Sequence, residues 1–124
     1  MSLIMGKIRL SGSKGEKTIN ALYDSGASVS FLRKSIAESV EILTPLPIVY
    51  NAKTAKNGET IEISEAIRID FYVGNIRLSD EFFITDELTE DVIIGAATMQ
   101  KWRLKLDFEN DKILIDPKVT VMRI

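Results

Sequence analysis

Asp24 is the carboxylate whose setting suits chemistry. It closes the apolar run Ala21-Leu22-Tyr23 and is followed by Ser25-Gly26-Ala27-Ser28, small residues that continue a strand poorly. Glycine tolerates unusual backbone angles and the close approach of another chain. An acid delivered by a strand to such a turn is either a turn-former, since Asp, Ser and Gly all suit turns, or a catalyst. The composition narrows which catalyst. The chain has no cysteine and no histidine. That removes a thiol nucleophile, a disulfide framework, a Cys/His zinc site and any serine triad with a histidine base. In a hydrolase of this composition, acid/base work falls to carboxylates, Lys or Tyr.

Asp24 needs a strand to carry it. Residues 7–10 alternate polar with apolar, residues 11–15 form a turn cluster, and residues 17–23 read as the returning strand of a hairpin that ends at Asp24. Leu32, Ile36 and Val40 recur at helical spacing and predict a short helix over 31–40. Pro45 and Pro47 stop any helix and start an extended segment. Residues 48–54 and 59–63 are strand-like and flank Ala55-Lys56-Asn57-Gly58; Asn-Gly between two strand runs is a strong hairpin signal. The polar residues Lys53, Lys56, Glu59 and Glu62 predict that this hairpin projects.

Further strands are expected at 67–73, 76–78 and 81–85, followed by an acidic loop at 86–90. Val92-Ile93-Ile94-Gly95 is a buried apolar run cut off by glycine, and residues 96–102 suit a short helix. Residues 103–108 and 112–115 predict a last hairpin. The alternating run 118–124 is expected to pair as a terminal strand, and Trp102, Phe82 and Phe83 to pack in the core.

Many short strands with frequent turns and two short helices indicate an all-β sandwich or partly closed barrel. At 124 residues and 45% hydrophobic content, the chain is most simply one domain, 1–124, able to bury a core. Its 16 basic and 18 acidic residues leave no footprint for nucleic acid or an anionic membrane. No apolar run approaches a membrane span, and a cytoplasmic location is expected.

The order of these features resembles the retropepsin-like aspartic proteases, single-domain relatives of pepsin that include retroviral proteases. Their marks are a D-[TS]-G-A triplet after an apolar strand (here Asp24-Ser25-Gly26-Ala27), a flap hairpin, and a hydrophobic-hydrophobic-Gly run before a C-terminal helix (here Ile93-Ile94-Gly95). The resemblance runs from about Lys7 to Ile115. It implies an acid-protease β-barrel and an aspartic endopeptidase acting on an extended peptide. Two carboxylates about 3 Å apart hold one shared proton, so one takes a proton from water while the other donates to the developing oxyanion. No cofactor or metal is needed.

The chain holds one D-[ST]-G triplet, and Asp70, Asp91 and Asp107 lack the turn that follows it. The resemblance therefore implies a homodimer, with each copy giving one Asp24 to the dyad. It assigns Ser25 to bridge the partner's backbone, Gly26 to let the two loops meet, and Ala27 and Ser28 to line the cleft. Lys56, Asn57 and Gly58 would form the flap tip, and Ile93, Ile94 and Gly95 would support the loop from beneath. Many relatives carry Asp or Asn two residues after that glycine as a buttress; this chain has Ala96 and Ala97, which leaves the buttress missing. A non-catalytic dimeric peptide-binding or interaction module of the same fold is the alternative.

Overall fold

The computed structural model describes residues 3–54 and 58–124. Strand β1 (Leu3–Gly12) turns into β2 (Gly15–Asp24), and the two pair antiparallel from Leu3 opposite Asp24 to Gly12 opposite Gly15. β3 (Phe31–Leu32) leads into helix α1 (Lys34–Val40). β4 (Thr44–Lys53), β5 (Thr60–Val73) and β6 (Ile76–Ile84) follow as an antiparallel meander. β7 (Val92–Ile94) leads into α2 (Ala96–Lys101), and β8 (Lys105–Asp107) with β9 (Lys112–Leu114) forms a separate hairpin.

The main sheet runs β1-β2-β7-β3-β6-β5-β4. Arg9, Leu10 and Ser11 of β1 also pair with Tyr72, Phe71 and Asp70 of β5, which closes the first six of these strands into a barrel and leaves β4 outside. Period-2 alternation fills the barrel: Ile8, Leu10, Tyr23, Leu32, Ile69, Phe71, Leu78, Phe82, Val92 and Ile94 are all buried. Helix α1 caps the core with Ile36, Ala37 and Val40, an i, i+1, i+4 apolar stripe.

One feature of the topology sets up the site. β7 is parallel to β2 and antiparallel to β3, and it lies between them although β2 and β3 are consecutive in the chain. The segment that follows Asp24 must therefore cross over the end of β7 to reach β3.

Several expectations are corrected. Phe31 and Leu32 are a strand, and the helix begins only at Lys34, because a parallel ladder with Phe83 and Ile84 outweighs the helical spacing of Leu32. The stretches 59–63 and 67–73 are one strand, as are 76–78 and 81–85 up to Ile84. β4 begins at Thr44 and runs through both prolines, which an outside strand tolerates. Residues 118–124 do not pair as a strand: Pro117–Thr120 is a 3-10 turn with Asp116 capping the Lys118 N–H, and 121–124 carry no regular structure. No helix among the described residues is long and apolar enough to cross a membrane.

The β1–β2 turn is clasped to the end of α1. The Ser13 hydroxyl donates to Glu41, as do the backbone N–H groups of Ser13 (3.1 Å) and Ile42 (2.8 Å), and the Lys14 N–H donates to the Val40 carbonyl at 3.0 Å. The Ser13 hydroxyl foremost, then the two N–H groups, hold the Glu41 carboxyl below the ordinary glutamate value. A depressed folded-state pKa gives stability that is present above the unfolded value and lost as pH falls through the folded one. In thermal melts, Glu41→Gln is expected to lower Tm near neutral pH and to narrow the gap to wild type as pH drops below 4.5.

Candidate active site

Asp24 ends β2 half-buried, and the turn after it is built on its own groups. Its Oδ1 accepts the Gly26 N–H at 2.8 Å, and its carbonyl accepts the Ala27 N–H at 3.1 Å. The side chain thus imitates a turn carbonyl, the usual behaviour of Asp before a tight reversal. The Gly26 N–H is taken by Oδ1 and not by Oδ2. Ser25, Gly26 and Ser28 are exposed, and Ala27 is half-buried.

The loop is then pinned to the start of α2. The Ala96 N–H donates to the Ala27 carbonyl at 2.7 Å and the Ala97 N–H to the Ser28 carbonyl at 3.0 Å. These bonds bring the chain at Gly95 against the loop backbone: a Cβ built there would stand 2.2 Å from the Val29 carbonyl oxygen and 2.9 Å from that of Ala27. Gly95 is therefore the close-approach glycine of the site, as its place after Ile93-Ile94 suggests.

Ile94 is fully buried in the core, whereas Ile93 points to the other face of the sheet and is half-buried. The cross-strand register makes Ile93 part of a row. Met5 lies opposite Leu22, Leu22 opposite Ile93, Ile93 opposite Phe31, and Phe31 opposite Phe83. Residues in register share a face, so these five apolar side chains line the outside of the barrel across five strands. The Phe31 and Phe83 rings lie 6.3 Å apart, and the Tyr50 ring of β4 meets Phe83 edge-on at 5.4 Å. Asp24 stands two residues beyond Leu22 on the same strand, hence on the same face. The expectation that Phe83 packs in the core is corrected: Phe82 does so, and Phe83 belongs to this outer row. Trp102 is half-buried and donates its indole N–H to the Ser79 carbonyl at 2.9 Å.

Gly58 lies in the β4–β5 turn at φ +62, exposed with open space around it, a conformation that glycine adopts without strain. Lys56 and Asn57 lie outside the described residues. The hairpin arms pair as far as Lys53 opposite Thr60, and β4 is mostly exposed.

Three residues near the loop escape sequence reasoning. Ala96 and Ala97 offer no side-chain buttress, but Thr98, one position further, is buried and reaches the Ser30 hydroxyl at 2.6 Å and Asp80 of β6 at 2.6 Å. Spacing alone does not connect residues 30, 80 and 98; a hydroxyl residue among Ala96, Ala97 and Met99 is the available signal. Among the described residues no group of His, Cys, Asp and Glu could hold a metal ion. One shallow groove of about 280 Å³ borders Ser25, lined with Ala96, Met99, Gln100, Leu104, Leu106 and Phe108.

The aspartyl protease family model matches residues 7–98. Among solved structures, the chain is similar to the retroviral protease-like domain of Ddi1 from Leishmania major, with a TM-score of 0.68 at 18% identity over 94% of this chain and 90% of that one. It is also similar to EIAV protease complexed with the inhibitor HBY-793, with a TM-score of 0.60 at 15% identity over 86% and 94%. The simian foamy virus (mac) protease matches with a TM-score of 0.50 at 13% identity over 80% and 92%. Identities this low speak for the shared fold, a retroviral-protease-like β-barrel.

Proposed function

The chain belongs to the aspartyl protease family, and we propose on that footing that residues 1–124 form an aspartic endopeptidase domain completed by a second copy of itself. The observation that carries this reading is the position of Asp24: its carboxylate stands on the same face as the apolar row Leu22, Ile93, Phe31 and Phe83, at a turn held from beneath by the β7–α2 junction. An extended peptide laid along that row would bury apolar side chains and bring its backbone past the acid. One carboxylate cannot serve as base and acid at once, and the chain has a single D-S-G turn, so the partner's Asp24 supplies the other half. The pair holds one proton. Its ionised member draws a proton from the water between them, the water attacks the peptide carbonyl, and the protonated member donates to the oxyanion.

The surroundings of the loop support pairing. Leu3, opposite Asp24 on β1, is 48% exposed, and Phe108, on the groove beside Ser25, is 50% exposed. Apolar groups beside an exposed Ser25-Gly26 turn suit a surface that a second copy covers. In this reading Ser25 bridges to the partner, Ala27 and Ser28 border the substrate, and the β4–β5 hairpin with Lys56, Asn57 and Gly58 closes over it as a flap.

Sedimentation combined with cleavage of a peptide library tests the proposal. A dimer that cuts peptides carrying apolar residues beside the scissile bond is expected, with cleavage blocked by a hydroxyl-bearing transition-state mimic. A monomer at high concentration would overturn it. A dimer that binds extended peptides and cuts none would leave the interaction-module alternative standing. Gly26→Val probes the seam. Crowding two meeting loops costs about 1–3 kcal/mol, so the dimer dissociation constant should rise roughly 5- to 150-fold; an unchanged constant would remove Gly26 from the interface.

A further inference from the structure

We infer that Thr98 and Asp80 are positioning residues for the Asp24 loop, acting through a one-way chain of hydrogen bonds that ends on the Asp80 carboxylate. The inference rests on the reading of Asp24 as catalytic only for its effect on rate; its effect on the loop stands separately.

The chain has three links joining four residues. The Gly95 N–H donates to Ser30 Oγ at 3.0 Å, Ser30 Oγ and Thr98 Oγ1 lie 2.6 Å apart, and Thr98 Oγ1 donates to Asp80 Oδ2 at 2.6 Å. Ser30 and Thr98 are 0% and 1% exposed, so no solvent competes for their hydroxyls. Each hydroxyl has one hydrogen to give, and an ionised carboxylate can only accept. Asp80 therefore claims the Thr98 hydrogen. The Thr98 oxygen must then accept from Ser30, and the Ser30 oxygen is left to accept from Gly95. The direction of every link follows from the charge at one end.

That end is itself held. Asp80 Oδ1 accepts the Glu81 N–H at 2.8 Å and stands 3.8 Å from the Lys101 ammonium. A hydrogen-bond chain that terminates on a charge is stronger than its neutral links taken singly, because each link polarises the next.

The consequence reaches the active-site loop through the backbone. Gly95 is the hinge between β7 and α2, and the next two amides, Ala96 and Ala97, hold the Ala27 and Ser28 carbonyls. Ser30 closes the same loop on its far side, where its carbonyl also accepts the Phe83 N–H at 3.0 Å. The Ser30–Thr98 contact thus staples the end of the loop to the helix that pins its middle. Removing the Thr98 hydroxyl frees the Ser30 hydrogen and loosens Gly95 from its acceptor. The loop carrying Asp24 then loses the support that keeps its carboxylate in a defined place.

The test uses amide hydrogen exchange by NMR together with steady-state peptide cleavage, on wild type, Thr98→Val, Thr98→Ser and Asp80→Asn. Thr98→Val keeps shape and removes only the hydroxyl. Exchange at Gly95, Ala96 and Ala97 is expected to speed up at least ~10-fold, since local opening is limited by the bonds that hold it. kcat should fall roughly 10- to 100-fold with KM within about twofold, the mark of a misplaced group rather than a lost substrate contact. Thr98→Ser should restore both. Asp80→Asn, at a half-buried position, should move both readouts in the same direction by less, because the amide oxygen can still accept from Thr98.

Unchanged exchange at the three amides in Thr98→Val would overturn the inference. So would equal damage from Thr98→Val and Thr98→Ser, which would make the methyl group's packing responsible. If wild type cleaves no peptide while exchange follows the expected pattern, the positioning role holds and the protease reading is what fails.

Discussion

Asp24→Asn is expected to yield a folded, dimeric chain that no longer cleaves peptides. The amide has the shape of the acid, and its Oδ1 still accepts the Gly26 N–H that closes the turn in wild type at 2.8 Å. Folding therefore loses little. Assembly should survive, because a pair of amides has the same shape and brings no like charges to the seam. Chemistry is lost at both halves of the dyad. An amide cannot take a proton from the attacking water, nor return one to the departing group. General acid–base catalysis supplies about 10²–10⁴-fold, and here one pair provides both functions, so the loss should lie at the upper end of that range. The measurement is library cleavage across a pH series, with melting and sedimentation of both proteins as controls. Wild type should pass through a maximum in rate, because only the singly protonated pair is competent. Cleavage that persists in the variant would reject the aspartic mechanism outright.

Gly95→Ala is expected to prevent the native fold. The added Cβ would sit 2.2 Å from the Val29 carbonyl oxygen and 2.5 Å from its carbonyl carbon, with the Ala27 carbonyl oxygen at 2.9 Å. All three are backbone atoms, and none can swing aside as a side chain would. Overpacking that side-chain motion can relieve costs about 1–3 kcal/mol; relief here requires moving the loop off the β7–α2 junction. That movement would break the Gly95 N–H bond to Ser30 and the Ala96 N–H bond to Ala27 together. A domain whose whole stability is about 5–15 kcal/mol has little left after such a loss. Circular dichroism and melting give the answer. A variant with a native Tm would mean that the loop does not rest on this glycine.

The two expectations differ in how they could be reached. The Asp24 turn is legible in the sequence because its signal is local: an apolar strand, an acid and a run of small residues adjoin in the chain. The β4–β5 hairpin was legible for the same reason, through Asn57-Gly58, as was the strand–glycine–helix run from Ile93 onward. Phe31 reads as helical because Leu32, Ile36 and Val40 keep helical spacing, while the ladder to Phe83 lies some fifty residues away in the chain. Phe82 and Phe83 look alike in sequence; only the register, with Phe83 opposite Phe31 and Ala66, separates the core residue from the one on the outer row.

Short-range choices are legible locally: which residues turn, which alternate, where glycine is required, and that acid/base work falls to carboxylates, Lys or Tyr. Which of these meet is set by strand order. Insertion of β7 between β2 and β3 forces the loop after Asp24 across the Gly95 junction. It also aligns Leu22, Ile93, Phe31 and Phe83 on one face and brings Ser30, Asp80 and Thr98 into one hydrogen-bond chain. Such contacts depend on strand order and register, which the pairing energy of the whole barrel selects, and no local pattern encodes them.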